Sequence, residues 1–92
     1  MKNRNNIQVT GLILESTKEK GRDGIRISQL ISKSNVPHPR LSKIVEKLIN
    51  NDLLVKFTHE NGQSFAITEK GIIYLNEYKK FYELANSFGM EL

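Results

Sequence analysis

The chain has 92 residues, no cysteine and a formal net charge of +4, with 38% hydrophobic and 26% charged residues. A chain of this length forms one domain with a modest core. The lack of cysteine excludes disulfides, thiolate nucleophiles and cysteine-based zinc sites. No apolar run is long enough to cross a bilayer and no signal-peptide pattern is visible, so the sequence predicts a cytoplasmic protein with no membrane partner.

Positive charge is concentrated in the first two thirds of the chain. Residues 1–58 hold eleven Lys/Arg and five Asp/Glu, a balance of +6, whereas residues 59–92 hold three and five, a balance of −2. An excess of this kind suits a polyanionic partner. Mild basicity is common among proteins, however, so the motifs have to carry the prediction of nucleic-acid binding.

The first predicted helix runs from Asn5 to about Lys18, with Asn5 or Asn6 as its cap. Gly11 lies inside this helix, where glycine costs about 1 kcal/mol relative to alanine. Its presence indicates that another element approaches closely at that point. Residues 25–27 then alternate apolar and polar side chains and predict a minimal strand.

The central feature is a pair of helices separated by a short break. The first spans residues 28–34 and begins at Ser28, a good N-cap residue. After Asn35 and Val36, Pro37 and Pro39 stand at or before the first turn of the second helix, where a missing amide costs little. That helix covers about residues 38–50, and its apolar stripe consists of Leu41, Ile44, Val45, Leu48 and Ile49. Two helices joined by so short a turn predict a helix-turn-helix.

A β-hairpin is predicted directly after this motif. Residues 54–58 and 64–68 are β-prone, and Asn61-Gly62 between them can supply the left-handed conformers of a tight turn. The hairpin would form a wing over about residues 56–65. The order helix, short strand, helix, helix, strand, strand is that of a winged helix.

The last predicted helix begins after Thr68 and runs to about Ser87. Its cap is half a capping box, because Gly71 stands where Glu or Gln would reciprocate. Two apolar stripes overlap on this helix. One has heptad spacing and consists of Tyr74, Tyr78, Phe81, Ala85, Phe88 and Leu92; the other consists of Ile72, Leu75, Tyr82 and Ala85. The first stripe packs either on the core or on a second copy of the chain, and we favour the second copy.

Candidate DNA-binding residues follow from taking Leu41 and Leu48 as inward. Arg40 and Lys43 then lie in the first turns of the second helix, where side chains touch base edges in a major groove. Lys47 and Ser42 suit phosphate, and His38 either contacts DNA or caps the helix. In the wing, the residues that can reach the backbone or minor groove are Lys56, His59 and Gln63. The alternative for all of them is a solvated surface.

Catalytic and metal-binding patterns are missing from the sequence. The two histidines, His38 and His59, are far apart, and neither belongs to a recognisable catalytic motif. No Gly-rich phosphate loop is present either. We therefore predict that the chain is not an enzyme, has no metal or cofactor, and shows no evident small-molecule ligand.

Three stretches carry a resemblance to a known family: Asn35-Val36-Pro37 leading into residues 41–48, residues 51–55, and Ile67-Thr68-Glu69-Lys70-Gly71 with Leu75. The chain resembles the small archaeal winged-helix DNA-binding proteins that dimerise through a C-terminal helix. The resemblance implies that two such helices form an antiparallel coiled coil. The Pro-His-Pro opening of the second helix departs from the polar cap more usual in that family.

Together these observations predict a mainly α fold with a small β-hairpin wing (α+β). Residues 1–70 would form the winged helix-turn-helix, and residues 69–92 a dimerisation helix within the same domain. We expect a homodimer that binds double-stranded DNA, with or without sequence specificity, as a transcriptional regulator or chromatin-type factor. The expected dimer interface consists of Tyr74, Tyr78, Phe81, Tyr82, Ala85 and Phe88. The rival hypothesis is a winged helix that binds another protein instead of DNA.

Overall fold

The computed structural model describes residues 5–90, which form four α-helices and three strands. A single 3-10 turn, Gly21–Asp23, follows the first helix. The elements are α1 (Asn6–Lys20), β1 (Ile25–Arg26), α2 (Ile27–Ser34), α3 (His38–Asn50), β2 (Leu54–His59), β3 (Gly62–Ile67) and α4 (Glu69–Ser87). The predicted order of elements and the mainly α fold with a β-hairpin wing are confirmed.

Helix α1 begins at a complete capping box. The Asn5 side chain accepts a hydrogen bond from the Gln8 backbone N–H at 2.8 Å, and the Gln8 side chain accepts one from the Asn5 N–H at 3.1 Å. Two amides that have no partner within the helix are thereby satisfied. Asn5 is therefore the cap, and Asn6 is the first helical residue.

Helix α2 starts two residues earlier than an N-cap at Ser28 would place it, so that prediction is wrong. Arg26 is the N-cap residue, and its backbone N–H donates to the Gln29 side chain at 3.1 Å. The chain passes from β1 straight into the helix, so Ile27 is helical instead of ending the strand. At the other end, Asn35 adopts a left-handed conformation with φ 56°, which Asn tolerates better than most residues.

The three strands form an antiparallel sheet in the order β1-β3-β2. His59 pairs with Gly62, so the hairpin turn consists of Glu60 and Asn61 alone and both strands reach further into it than predicted. Among residues 59–62 of the hairpin only Gly62 has a positive φ, 123°, so Asn61 does not supply a left-handed conformer. Thr68 lies outside β3 and serves as the cap of α4.

The core lies between α1, α2, α3 and the face of the sheet that carries Phe65. The stripe predicted on α3 is correct: Leu41, Ile44, Val45 and Leu48 are buried, and Ile49 is half-buried. Other fully buried side chains come from α1, β1, α2, β2 and α4, namely Val9, Ile13, Leu14, Ile25, Leu30, Leu54 and Leu75. This packing fixes which side of α3 faces outward.

Contacts with the rest of the domain hold helix α4 from its cap, Thr68, to Lys79. Thr68 Oγ1 accepts from the Gly71 N–H at 2.9 Å and donates to the Asp52 carbonyl at 2.6 Å. Lys79 of α4 forms an ion pair of 2.7 Å with Glu15 of α1. From Lys80 to Phe88 the helix side chains are exposed, apart from the half-buried Ala85.

Candidate nucleic-acid interface

The outward side of α3 is an exposed polar surface. Pro39, Lys43, Glu46 and Asn50 lie on it, opposite the buried Leu41 and Leu48. Within residues 5–90, the Lys43 side chain takes part in no hydrogen bond or ion pair, so its ammonium group is available to a ligand. This side of a recognition helix is the one that enters a major groove in winged helices and related folds.

Arg40 and Lys47 lie on the flank of α3 nearer to α1. The Arg40 guanidinium donates to Asn6 Oδ1 at 3.1 Å, so this side chain is already tied to the start of α1. Lys47 borders a cleft together with Lys70 at the start of α4. Both cations therefore stand beside the outward face, where they suit phosphate better than base edges.

A second group of predicted residues surrounds a cleft between α3 and the wing, which we call the wing cleft. Its polar border consists of His38, Ser42, Glu46, Asn50, Lys56 and Gln63. Apolar side chains, among them Phe65 and Ile49, form its floor. Ser42 Oγ lies 3.4 Å from His38 Nδ1, one helical turn away. The fold thus brings the wing residues Lys56 and Gln63 to the same side as the first turns of α3.

His59 is separated from this group by the pleat of the hairpin. Lys56 pairs with Phe65, and Thr58 with Gln63, so these residues share the face toward α3. His59 belongs to the opposite face, where its Nε2 lies 2.9 Å from Ser64 Oγ. Of the three predicted wing contacts, Lys56 and Gln63 are placed together, and His59 is not.

Three residues near this surface were not among the predicted contacts. Glu46 and Asn50 follow Lys43 by three and seven residues, so they lie on the same outward side of α3, as the helical spacing in the sequence already indicated. Arg26 donates to the Asn61 carbonyl at 3.2 Å and so ties β1 to the wing turn. That contact joins residues 35 positions apart, so no local sequence pattern could have predicted it.

The predicted dimer residues divide between two sides of α4. Tyr78 packs on Gly11 of α1 and borders a depression with Tyr82, so both rings lie on the side that holds the helix to the domain. Burial raises the pKa of the Tyr78 hydroxyl, and the neighbouring Tyr82 and Tyr74 add to the rise. An adjoining side of the helix exposes apolar side chains, namely Ile73, Tyr74, Phe81, Leu84 and Phe88. Leu92 lies outside the described residues.

Two classes of site have no candidate among residues 5–90. No group of three or more His, Asp or Glu side chains is arranged to hold a metal ion there. No helix in this part of the chain combines the length and the apolar character needed to cross a membrane.

A family model described as "Winged helix-turn-helix" matches residues 3–86, nearly the whole chain. The chain belongs to the winged helix-turn-helix family. No curated protein matches this winged helix-turn-helix chain by sequence.

Solved structures of low sequence identity share the fold. One is Sso10a-2, a DNA-binding protein from Sulfolobus solfataricus, with a TM-score of 0.79 and 17% identity over 92% of this chain and 85% of that one. BpsR from Bordetella bronchiseptica, whose DNA binding is regulated by 6-hydroxynicotinic acid, has a TM-score of 0.76 and 14% identity over 86% of this chain. A MepR variant from S. aureus bound to an oligodeoxyribonucleotide has 0.71 and 16% over 91%. This chain spans only 57% of the BpsR chain and 64% of the MepR chain.

Proposed function

We propose that this winged helix-turn-helix protein is a homodimer that binds double-stranded DNA. In this proposal α3 enters the major groove and the wing lies along the backbone. The observation that carries it is the outward face of α3, where the Lys43 ammonium group is exposed and has no partner within residues 5–90. A cleft bordered by Lys56 and Gln63 lies beside it. Cations on a helix and on the adjacent wing can follow phosphates on both sides of one groove.

Each predicted residue then has a distinct part. Lys43, near the middle of the outward face, reads base edges, and Ser42 donates to phosphate. Lys47 and Arg40 neutralise the backbone on the α1 side. Further contacts come from the wing-cleft side, where Lys56 and Gln63 hold the backbone and His38 lies at the entry of α3; His59 reaches DNA only at the wing tip.

The exposed apolar side of α4 supports the dimer. Phe81 and Phe88 are 52% and 76% exposed in the single chain. Large aromatic side chains exposed together on one helix face usually mark an interface. We propose that two α4 helices pair through this side in antiparallel orientation, with Ala85 at the edge. Tyr78 and Tyr82 reach the partner only by their outer edges.

The length of α4 fits a dimer that uses one face of the duplex. Nineteen residues at 1.5 Å each span roughly 28 Å. Successive major-groove faces on one side of B-DNA are about 34–36 Å apart. An antiparallel pair therefore separates its two winged domains by nearly the distance required for two recognition helices, and a small tilt of each domain supplies the rest.

Titration against duplex DNA at two salt concentrations tests the proposal. With roughly six to ten phosphates neutralised by a dimer, affinity should fall about a thousandfold or more between about 50 and 200 mM salt. A parallel titration in which an acidic protein competes with the duplex is the control for attraction by charge alone. Absence of duplex binding, or a response indifferent to salt, would instead support a module that binds another protein.

A further inference from the structure

A cleft lies at the base of α4, on the rear of the recognition helix. We call it the basal cleft. It is enclosed by the start of α1, the flank of α3 and the first turns of α4. Its apolar lining is Ile7, Ile44, Leu48, Leu53 and Tyr74, and its polar rim includes Lys47, Lys70 and Asn51. Lys70 Nζ donates to the Asn51 carbonyl at 3.0 Å, which holds the rim of the cleft together.

The apolar lining of this cleft reaches the surface. Ile7 is 46% exposed, and Tyr74 is exposed as well. Tyr74 also belongs to the exposed apolar side of α4 that carries Phe81 and Phe88. The cleft and that side of the helix are therefore one continuous apolar surface, which begins on α1 and α3 and extends along α4.

Just beyond α4, which ends at Ser87, two large apolar side chains are exposed among the described residues. Phe88 and Met90 are 76% and 71% exposed. The backbone there is ordered by its own hydrogen bonds: the Met90 N–H donates to the Ala85 carbonyl at 2.7 Å, and Gly89 provides the positive φ of 71° at the helix end. The turn thus presents both side chains outward from a defined position.

Helix geometry relates these two surfaces. Seven residues make almost two turns, so Tyr74, Phe81 and Phe88 lie in a row along α4. When two copies pair antiparallel about Phe81, the residue seven positions before it faces the residue seven positions after it in the other copy. Phe88 of the partner subunit then lies over Tyr74, at the mouth of the basal cleft.

We propose that Phe88 and Met90 of each subunit cover the basal cleft of the other subunit. This inference rests on the antiparallel dimer proposed above and adds a second contact to it, between the end of one α4 and the winged domain of the other copy. Ile44 and Leu48 belong to α3, so the occupied cleft braces the recognition helix from behind. The DNA-binding surface of each subunit is then completed by its partner.

Disulfide trapping tests the contact, because the natural chain has no cysteine. In the double variant Ile7→Cys/Met90→Cys, the anchors Tyr74 and Phe88 remain in place. Within one chain, α4 continues thirteen residues beyond Tyr74 to its end at Ser87, roughly 20 Å, so Met90 is too far from the cleft for an intrachain bridge. Oxidation should therefore give a covalent dimer on a non-reducing gel.

Val55→Cys/Met90→Cys is the matched control. Val55 is 41% exposed, close to the value for Ile7, but it lies on β2 and does not line the cleft. Groups held together in a dimer have an effective concentration near the millimolar range, so at about 10 μM protein the Ile7 pair should cross-link roughly a hundredfold faster than this control. Equal rates for the two variants would overturn the inference.

A third variant, Tyr74→Cys/Phe88→Cys, reports on the helix pairing itself. Cross-linking of this pair but not of the Ile7 pair would leave the antiparallel dimer standing and overturn the covered cleft. If Tyr74→Cys alone cross-links, the helices are parallel and the inference fails. Monomers in sedimentation of the natural chain, with no specific cross-link, would remove the dimer and this contact together.

Discussion

The ring of Tyr78 in α4 lies directly on the backbone of Gly11 in α1. A Cβ atom at Gly11 would stand 2.5 Å from Tyr78 Cζ and 2.9 Å from its hydroxyl oxygen, closer than van der Waals contact permits. Glycine at this position lets the two helices meet. The contact, together with the Lys79–Glu15 ion pair, holds the first half of α4 against the domain.

Because of this contact, the effect of Gly11→Ala on stability should have opposite signs in the natural protein and in a Tyr78→Ala variant. Gly11→Ala should destabilise the natural protein by about 1 kcal/mol, because the ring of Tyr78 has to leave its place. In a Tyr78→Ala background the obstacle is gone, and the same substitution should stabilise the protein by up to about 1 kcal/mol through helix propensity. Urea unfolding of the four proteins measures both effects. Equal effects in the two backgrounds would mean that the ring does not control this site.

A second prediction concerns alkaline pH. Burial, with smaller contributions from Tyr82 and Tyr74, raises the pKa of Tyr78 above its ordinary value of about 10. In the unfolded chain this phenol ionises first, so its contribution to stability is fully present below about pH 10 and is lost as the pH rises through the folded-state pKa. Unfolding free energy should therefore fall as the pH rises above about 10. Tyr78→Phe should lose less stability over that range, and an unchanged pH profile would count against the assignment.

The outward face of α3 and the wing should respond differently to loss of one cation. Lys43→Ala should cost about 1–3 kcal/mol on a preferred sequence and reduce any sequence preference, because Lys43 faces base edges. Lys56→Ala should weaken binding to all duplexes alike and make the salt slope shallower by about one. Fluorescence anisotropy over a salt series measures both. Lys80→Ala on α4 removes the same charge away from α3 and should have little effect.

Glu46 places a negative charge on the outward face of α3, beside the positive charges of Lys43 and Lys56. Its carboxylate borders the wing cleft with Lys56, where it would face phosphates or a base edge. Glu46→Gln should raise affinity for nonspecific duplex DNA, because a repelling charge is removed without loss of side-chain size. A drop in affinity confined to one sequence would show instead that the carboxylate accepts from a cytosine amino group there. Unchanged binding in Glu46→Gln and Lys43→Ala, with the fold intact, would place DNA on another surface.

Dimerisation through α4 is tested by placing a charge on its exposed apolar side. Phe81→Glu should yield monomers at micromolar concentration and reduce DNA affinity about a hundredfold or more, since two linked sites bind together. Asn76→Glu adds the same charge to an exposed position off that side and should leave a dimer. Light scattering on both variants decides the point. A natural chain that is already monomeric at micromolar concentration would end the dimer proposal.

Local patterns were sufficient for much of the fold. The spacing of Leu41, Ile44, Val45 and Leu48 was sufficient to identify the buried side of α3, because these residues form one stripe at the helical period and the opposite side is polar. Thr68 was correctly identified as a cap, since its hydroxyl acts on an amide three residues away. Gly11 correctly indicated a close approach, although the sequence did not name Tyr78 as the side chain that makes it.

The sequence by itself determined the order of elements, the inward face of α3 and the concentration of positive charge ahead of residue 59, because these depend on neighbouring residues and on composition. Tertiary structure decided the rest. Packing of the sheet turned the face with Lys56 toward α3 and the face with His59 away from it. The docking of α4 on α1 turned Tyr78 inward and left Leu84 outward. Such choices depend on how distant elements pack, which no local spacing records.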